Sequence, residues 1–274
     1  MDNQPARENS LMLFRVAERM FRISRYMERA ERTALLLRVN TNLTLDLPNS
    51  KHVWGSLIDI TGDEHSCPEA YQLENEKNVV KFLTRGETSS IRNSLKNAGG
   101  NARTGREIMP REAWEKINKL HHFVENNLKK PLKREGRDAF LAKVIRLCHE
   151  FTGYLRGCMS VTQAFNFMKL DLKLERADIT TRILDIRCCN LNNPRSVDFC
   201  LDEVSECCEQ LPLSDEPQRA TNLAQRRIKT SNAIDLFSGG ELHWFIDEVQ
   251  LDLVRIHHQI EMTWFTYRSD SAFE

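Results

Sequence analysis

The chain carries the sequence Tyr26-Met27-Glu28-Arg29-Ala30-Glu31-Arg32-Thr33 and repeats it, with changes, as Lys173-Leu174-Glu175-Arg176-Ala177-Asp178-Ile179-Thr180. Apolar or small residues accompany both copies in steps of three and four, the spacing of a helix that packs along its length. In the first copy they are Val16, Met20, Ile23, Met27, Ala30, Ala34 and Leu37, and in the second Phe167, Leu170, Leu174, Ala177, Thr181 and Leu184. The sequence therefore predicts two equivalent helices in an internally duplicated bundle.

The composition is that of an ordinary globular protein without net charge. Of 274 residues, 41% are hydrophobic and 28% charged, and 39 Lys and Arg balance 39 Asp and Glu. This balance argues against nucleic acid or an anionic membrane as a partner. No run approaches eighteen apolar residues, and the first five residues do not resemble a secretory signal. We expect no membrane-spanning helix and a cytoplasmic location.

Nearly every periodic segment predicts a helix, and alternation typical of strands is almost absent. The fold class is therefore all-α, an internally duplicated helical bundle of about eight to ten helices with no sheet. The predicted helices cover residues 11–40, a short segment around 54–58, 78–83, 89–98 (ending at Gly99-Gly100), 112–128, a segment from about 140 to Gly153 or Gly157, 160–189, 197–211, 216–237 and 241–265.

A basic segment marked by Pro131 and Gly136, residues 129–137, is the best candidate boundary between the two halves. We assign residues 1–130 to the first half and 131–274 to the second, packed as one compact domain. Each half carries one Glu-Arg motif. The second half lacks about 41 residues that the first half has between Asn40 and Thr88, so the segment around 54–83 is used once.

The charged residues of the repeated motif are the candidate site. Glu28, Arg29 and Glu31 correspond to Glu175, Arg176 and Asp178. One interpretation is a solvated face with local ion pairs. Another is that the two helices pack antiparallel about a pseudo-twofold axis, so that Glu28 meets Arg176 and Glu175 meets Arg29. Loss of one partner in such a buried pair costs roughly 3–5 kcal/mol.

A third interpretation is that the arginines bind an anionic group, such as a phosphate or a peptide carboxylate. The candidate binding residues are Arg25, Glu28, Arg29, Glu31, Glu175, Arg176 and Asp178. If the protein is catalytic, Glu28 and Glu175 are the candidate acid-base residues.

Signatures of metal and cofactor sites are missing from the sequence. Helical di-metal sites need Glu-x-x-His, which does not occur, and no phosphate-binding glycine loop or nucleophile elbow is present. The eight cysteines lack zinc-site spacing and are expected to be structural, reduced thiols. The pairs His121-His122 and His257-His258 are expected at surface or cap positions. We therefore expect no metal and no cofactor.

These motifs resemble the bacterial alpha-E family, an all-helical family of undefined biochemical function named for its Glu-Arg motif. The resemblance is strongest in residues 13–46 and continues in 54–62, 76–95, 101–103, 174–187 and 193–211. It implies a role beside ATP-grasp-type amide ligases and transglutaminase-like proteins, in peptide synthesis or peptide modification.

The chain departs from the family pattern at two places. It has Asp171-Leu172-Lys173 where family members usually have Gly-Arg-Tyr, and only residues 188–193 stand where they have a longer insert. These departures make the first-half motif the stronger candidate site.

Three functions follow as hypotheses. The leading one is a non-catalytic or accessory helical module that binds an ATP-grasp-type amide ligase or its peptide substrate. The alternative is an enzyme of the same pathway, with Glu28 or Glu175 as acid-base residue and Arg29 or Arg176 orienting an anionic substrate. The third is a purely structural helical bundle.

Overall fold

The computed structural model describes residues 4–46, 54–62, 75–106, 109–158, 163–186, 195–211, 214–231, 236 and 241–266. No β-strand occurs in these ranges, which confirms the all-α class. The helices with described bounds are α1 (Gln4–Asp46), α2 (Ser56–Thr61), α3 (Glu76–Arg85), α4 (Ile91–Thr104), α5 (Arg111–Asn127), α6 (Arg134–Cys158), α7 (Gln163–Ile186), α8 (Arg195–Glu209), α9 (Asp215–Thr230) and α10 (Leu242–Ile260). A 3-10 turn at Lys130–Leu132 precedes α6, and a π-helical turn at Glu261–Phe265 follows α10.

Helix α4 continues past the two glycines at which the sequence predicts its end. It begins behind Ser90, whose side chain accepts a hydrogen bond from the Asn93 backbone N–H, and it ends at Thr104. Ala98 and Ala102, on either side of Gly99-Gly100, are fully buried. Packing of this face outweighs the low helix propensity of glycine, so the predicted end was wrong.

The helices pack as two four-helix units with the same order of neighbours. In the first unit α1 contacts α4, α4 contacts α5, α5 contacts α6, and α6 returns to α1. In the second unit the same cycle runs through α7, α8, α9 and α10. Helices α1 and α7 join the two units, while α2 and α3 have no counterpart with described bounds in the second. The duplication predicted from the motif is thus seen in the packing.

Each unit has its own hydrophobic core, and α1 contributes to both. Met20, Ile23 and Met27 face the first core, whereas Ala17 and Phe21 face the second. Helix α6 supplies residues to the first core, among them Phe140, Leu141, Val144 and Phe151. The division of the chain after residue 130 stays a prediction; the packing groups α6, which follows that position, with the helices before it.

Helices α1 and α7 run parallel. Arg25 of α1 contacts Asp171 of α7, and Arg29, one turn later, contacts Glu175, also one turn later. Contacts that advance in the same direction on both helices require parallel axes. The antiparallel arrangement predicted from the sequence was therefore wrong. The intervening helices return the chain to the end of the molecule at which α1 began, so α7 starts at that end as well. The pseudo-twofold axis that relates these two parallel helices therefore lies along them.

No helix of the described ranges combines the length and the apolar character that crossing a lipid bilayer requires.

The start of α6 is fixed by a buried arginine within the segment predicted as a basic linker. The guanidinium of Arg137 donates to the Pro131 carbonyl at 2.8 Å and to Glu76 at 2.7 Å, and it lies over the ring of Trp54. Its side chain is 2% exposed, whereas that of Arg134, which pairs with the same Glu76, is 57% exposed. Arg137 therefore joins α6 to α3 and to the residues preceding α2.

We predict that Arg137→Met lowers the free energy of unfolding by about 2–3 kcal/mol, because it removes buried, charge-assisted hydrogen bonds and leaves the Pro131 carbonyl without its donor. Arg134→Met is the matched control and should cost less than about 1 kcal/mol, since that pair is exposed. Urea denaturation followed by circular dichroism measures both. Equal losses of unfolding free energy in the two variants would show that the burial of Arg137 does not increase its contribution to stability.

Candidate functional site

Two reciprocal Arg–Glu pairs connect α1 and α7 at the centre of the molecule. Arg29 donates from Nε and Nη2 to the two carboxylate oxygens of Glu175, at 2.6 and 3.0 Å. Arg176 donates in the same way to Glu28, at 2.7 and 3.1 Å. These are the reciprocal contacts that the repeated motif suggested. Both carboxylates are buried, and both guanidinium groups are partly exposed above them.

The electrostatic environment keeps Glu28 ionised. Burial raises the pKa of Glu28, but hydrogen bonds and charge from Arg176 and Arg32 outweigh burial and leave that pKa below its ordinary value. Arg32 reaches the same carboxylate at 2.6 Å. Burial lowers the pKa of Arg29, whereas Glu175 raises it, with a net increase. Glu28 and Arg29 are therefore charged at neutral pH.

A third pair, one turn before the first, is arranged differently. Arg25 directs both Nε and Nη2 to a single oxygen, Oδ1 of Asp171, at 3.1 and 2.9 Å. Asp171 is fully buried, and its Oδ2 has no hydrogen-bond partner among the described residues. Burial raises the pKa of Asp171 to about 7, against the opposing charge of Arg25. Asp171 is thus a buried carboxyl group that titrates near neutrality and has one oxygen unused.

A cleft of about 380 Å³ opens beside these pairs, between α1, α7 and α10. Its charged wall contains three arginines and four carboxylates, and α10 supplies two histidines and an apolar edge. The lining residues are Arg25, Arg29, Asp171, Leu174, Glu175, Asp178, Arg182, Leu253, Val254, His257, His258 and Glu261. Such a cleft can hold a ligand that carries both apolar and charged groups.

His257 is held as a neutral ring at the inner end of this cleft. Its Nε2 is in close contact with Nη2 of Arg25. Burial, followed by the charges of Arg25 and Arg22, lowers the pKa of His257 to about 3. The neutral ring accepts from Arg25 and so helps to fix the direction of that guanidinium.

Arg182 is positioned by its own helix and by the end of α2. It donates to Asp178, one turn earlier, at 3.1 Å. Gly62 ends α2 with a φ of +71°, and a Cβ at that position would lie 3.1 Å from Arg182 Nη1. The glycine is required both for its left-handed backbone and for this close approach.

The predicted site residues fall on the two sides of the α1–α7 contact. Four of them line the cleft: Arg25, Arg29, Glu175 and Asp178. The other three do not: Glu28 and Arg176 pair behind it, and Glu31 contacts His149 of α6 at 3.1 Å. Burial and then the charge of Glu28 raise the pKa of Glu31.

Sequence reasoning missed Asp171, Arg182 and His257 as parts of the site. Asp171 belongs to the segment that departs from the family pattern, so that departure was a usable signal. Arg182 follows Asp178 by one helical turn, which was a second signal. His257 lies 232 residues from Arg25 and was expected at a surface or cap position; no local pattern marked it.

A separate group of potential metal ligands joins the end of α7 to the start of α10. The ligand atoms of Asp185, His243 and Asp247 lie within 4.8 Å of one another. His243 Nδ1 and Asp185 Oδ1 are 2.5 Å apart, and this hydrogen bond raises the pKa of His243. The two carboxylates favour the protonated form of the His243 ring, so attraction between these side chains accounts for the group without an ion.

Comparison with known protein families identifies a match over most of the chain. The model of the Alpha-E family, described as a predicted alpha-helical domain with a conserved ER motif, matches residues 12–192 and 188–265. Both Glu-Arg motifs lie within the matched residues, and the two matched segments meet where the sequence predicts the shortened insert. No curated protein and no solved structure matches the chain.

We predict that Glu175→Gln lowers the free energy of unfolding by roughly 2–4 kcal/mol, because it leaves the partly buried charge of Arg29 without its counter-charge. Adding Arg29→Met should recover part of this loss. Glu18→Gln, which breaks the exposed pair of Glu18 with Arg22 on the same helix α1, should cost less than about 1 kcal/mol. Urea denaturation is the measurement. A Glu175→Gln loss no larger than that of Glu18→Gln would contradict a structural role for the pair.

We also predict that Asp171 makes the protein less stable as the pH rises. The pKa of Asp171 is about 7 in the folded state against an ordinary value of 3.8. The folded state therefore binds more protons than the unfolded state between pH 4 and 7, and stability falls across that interval.

Asp171→Asn removes this titration. The difference in free energy of unfolding between the two proteins should change by roughly 2–4 kcal/mol in favour of the variant from pH 4.5 to pH 8. Urea denaturation at several pH values checks the prediction, and groups that titrate alike in both proteins cancel. A difference independent of pH would show that Asp171 is ionised throughout.

Proposed function

Because the chain belongs to the Alpha-E family, whose α-helical domain carries a conserved Glu-Arg motif, we propose that it is an accessory module that binds an ATP-grasp-type amide ligase or the peptide substrate of that ligase. The resemblance of the sequence implies such ligases, and transglutaminase-like proteins, as partners. The proposed setting is a cytoplasmic system for peptide synthesis or peptide modification.

The proposal rests on the arginines of the cleft. Arg25 and Arg29 use Nε and Nη2 for Asp171 and Glu175, and Nη1 of each makes no hydrogen bond to the described residues. The two side chains are one helical turn apart, about 6 Å. A carboxylate or phosphate group can therefore accept from both Nη1 groups without disturbing the pairs beneath them.

Asp171 also lines the cleft beside Arg25, and its Oδ2 is buried without a partner among the described residues. The carboxylate of a peptide end can pair with Arg25 and Arg29, and the apolar edge of Leu253 and Val254 is available for a side chain.

The arrangement of the predicted bases disfavours catalysis through them. Both oxygens of Glu28 and of Glu175 accept hydrogen bonds from arginine, and the low pKa of Glu28 makes it a weak base. An enzyme of the same pathway, the alternative function, would instead use Asp171, which lies in the cleft with a pKa of about 7. A purely structural bundle, the third candidate, requires the pairs but not the cleft.

Capture of the ligase by the immobilised chain is the test. A purified ATP-grasp-type amide ligase, the class of partner that the family resemblance implies, should bind wild type, and Arg25→Gln should weaken binding by about tenfold or more. Arg38→Gln, on the same helix but paired with the exposed Asp138 outside the cleft, should leave binding unchanged.

Direct binding of a peptide distinguishes the two forms of the proposal, a module that binds the ligase and a module that binds the peptide substrate. If the cleft holds the peptide substrate, a peptide with a free C-terminal carboxylate should bind the chain directly, and its amidated form should bind about tenfold more weakly. If wild type captures neither ligase nor peptide, the protein is not an accessory module of this kind. Equal binding by a folded Arg25→Gln variant would exclude the cleft as the site.

A further inference from the structure

A second cavity, of about 210 Å³, lies between α1, α6, α7 and α8, away from the polar cleft. Its wall is apolar and is made by Leu155, Phe165, Met168 and Leu172. Three of these four side chains, those of Leu155, Met168 and Leu172, are almost completely buried. Apolar cavities of about 150 Å³ bind benzene, so this one has room for an aromatic ring and a small substituent.

The cavity occupies the place in one repeat that the polar cleft occupies in the other. Ser24 and Leu172 stand at the positions that correspond to Asp171 and Arg25 when the two motifs are aligned. The Arg25–Asp171 pair makes the wall of one space charged, whereas a serine and a leucine make the wall of the other less polar. The difference between the repeats has thus produced one charged and one apolar binding space.

The polar lining of the cavity has more positive than negative charge. Lys173, whose side chain is 2% exposed, is in contact with Glu203 of α8. Arg156 of α6 also lines the cavity and pairs with no carboxylate of the described residues. Ser24 is fully buried, and its hydroxyl has no hydrogen-bond partner in the described part of the chain. A small cavity with these groups in its wall can hold one anionic group.

We propose that this cavity binds a small monocarboxylic acid, whose apolar body packs against Leu155, Met168 and Leu172 and whose carboxylate pairs with Lys173. The Ser24 hydroxyl donates to the second oxygen of the carboxylate, and Arg156 supplies the remaining positive charge. A single negative charge suits the site, because Glu203 already compensates part of the local charge. This binding is independent of the ligase partner and of the polar cleft.

The charged groups around Lys173 support an anion at this position. They are Lys169 and Arg176 on α7, Arg156 on α6 and Glu203 on α8, and they lie near the thiol of Cys200, whose pKa burial raises. Burial, followed by repulsion from Arg176, lowers the pKa of Lys173 to about 8. A bound carboxylate would relieve that repulsion, so binding should favour the protonated amine.

Calorimetric titration of the full chain with sodium benzoate tests the proposal. Benzoate should bind saturably with a dissociation constant of about 1 mM or below. Benzamide, which has the same shape but no charge, should bind at least about tenfold more weakly. The Lys173→Met substitution should weaken the binding of benzoate by the same factor. Lys116→Met is the control, because Lys116 pairs with Glu150 away from the cavity.

The affinity for benzoate should also fall above pH 8, as Lys173 loses its proton while benzoate stays ionised. If Lys173→Met does not fold, Leu155→Phe, which fills the cavity and keeps the lysine, takes its place and should abolish binding. The proposal is wrong if benzoate does not saturate, if benzamide binds equally well, or if the folded Lys173→Met or Leu155→Phe variant retains the wild-type affinity.

Discussion

The exchange of arginine and glutamate between α1 and α7 is the constraint on which the rest of the structure depends. Each repeat buries a carboxylate that accepts hydrogen bonds from an arginine of the other repeat, although Glu28 also accepts from Arg32 of its own helix. Because both oxygens of Glu28 and Glu175 accept hydrogen bonds from a guanidinium, the pairs fix the rotation of the two helices and their relative height. A slip of one residue would turn a motif helix by about 100° and leave buried charges unpaired. The two four-helix units take their relative position from this contact.

Much of this arrangement could be predicted from the sequence, but specific parts of it could not. Periodicity around Met20, Ile23 and Met27 predicts a packed α1, and repetition of the Glu-Arg motif predicts the reciprocal pairs. The same pattern is compatible with parallel or antiparallel helices, since it gives angular positions and not axis direction. The end of α4 was mispredicted at Gly99-Gly100 because burial of Ala98 and Ala102, a tertiary effect, outweighs local propensity. His257 joins the site only because α10 docks on α7, which no local pattern encodes.

The two repeats have kept their cores and diverged where they face open space. Both have a cavity beside the motif helices, but Arg25 and Asp171 make one polar while Leu172 and Ser24 make the other apolar. The substitutions lie one turn from the reciprocal pairs and leave those pairs intact. A duplicated bundle can thus acquire two different binding spaces without weakening the contact that holds its halves together.

The parallel direction of α1 and α7 also gives this neutral molecule an electrical axis. Every helix has a macrodipole, equivalent to about half a positive charge at its N-terminus and half a negative charge at its C-terminus. When a twofold axis runs along the helices, dipole components across the axis cancel between the repeats and components along it add. The dipole component that one four-helix unit has along the axis is therefore doubled in the whole protein. In a chain with 39 positive and 39 negative side chains, the two ends of the α1–α7 pair thus carry helix-terminal partial charges of opposite sign.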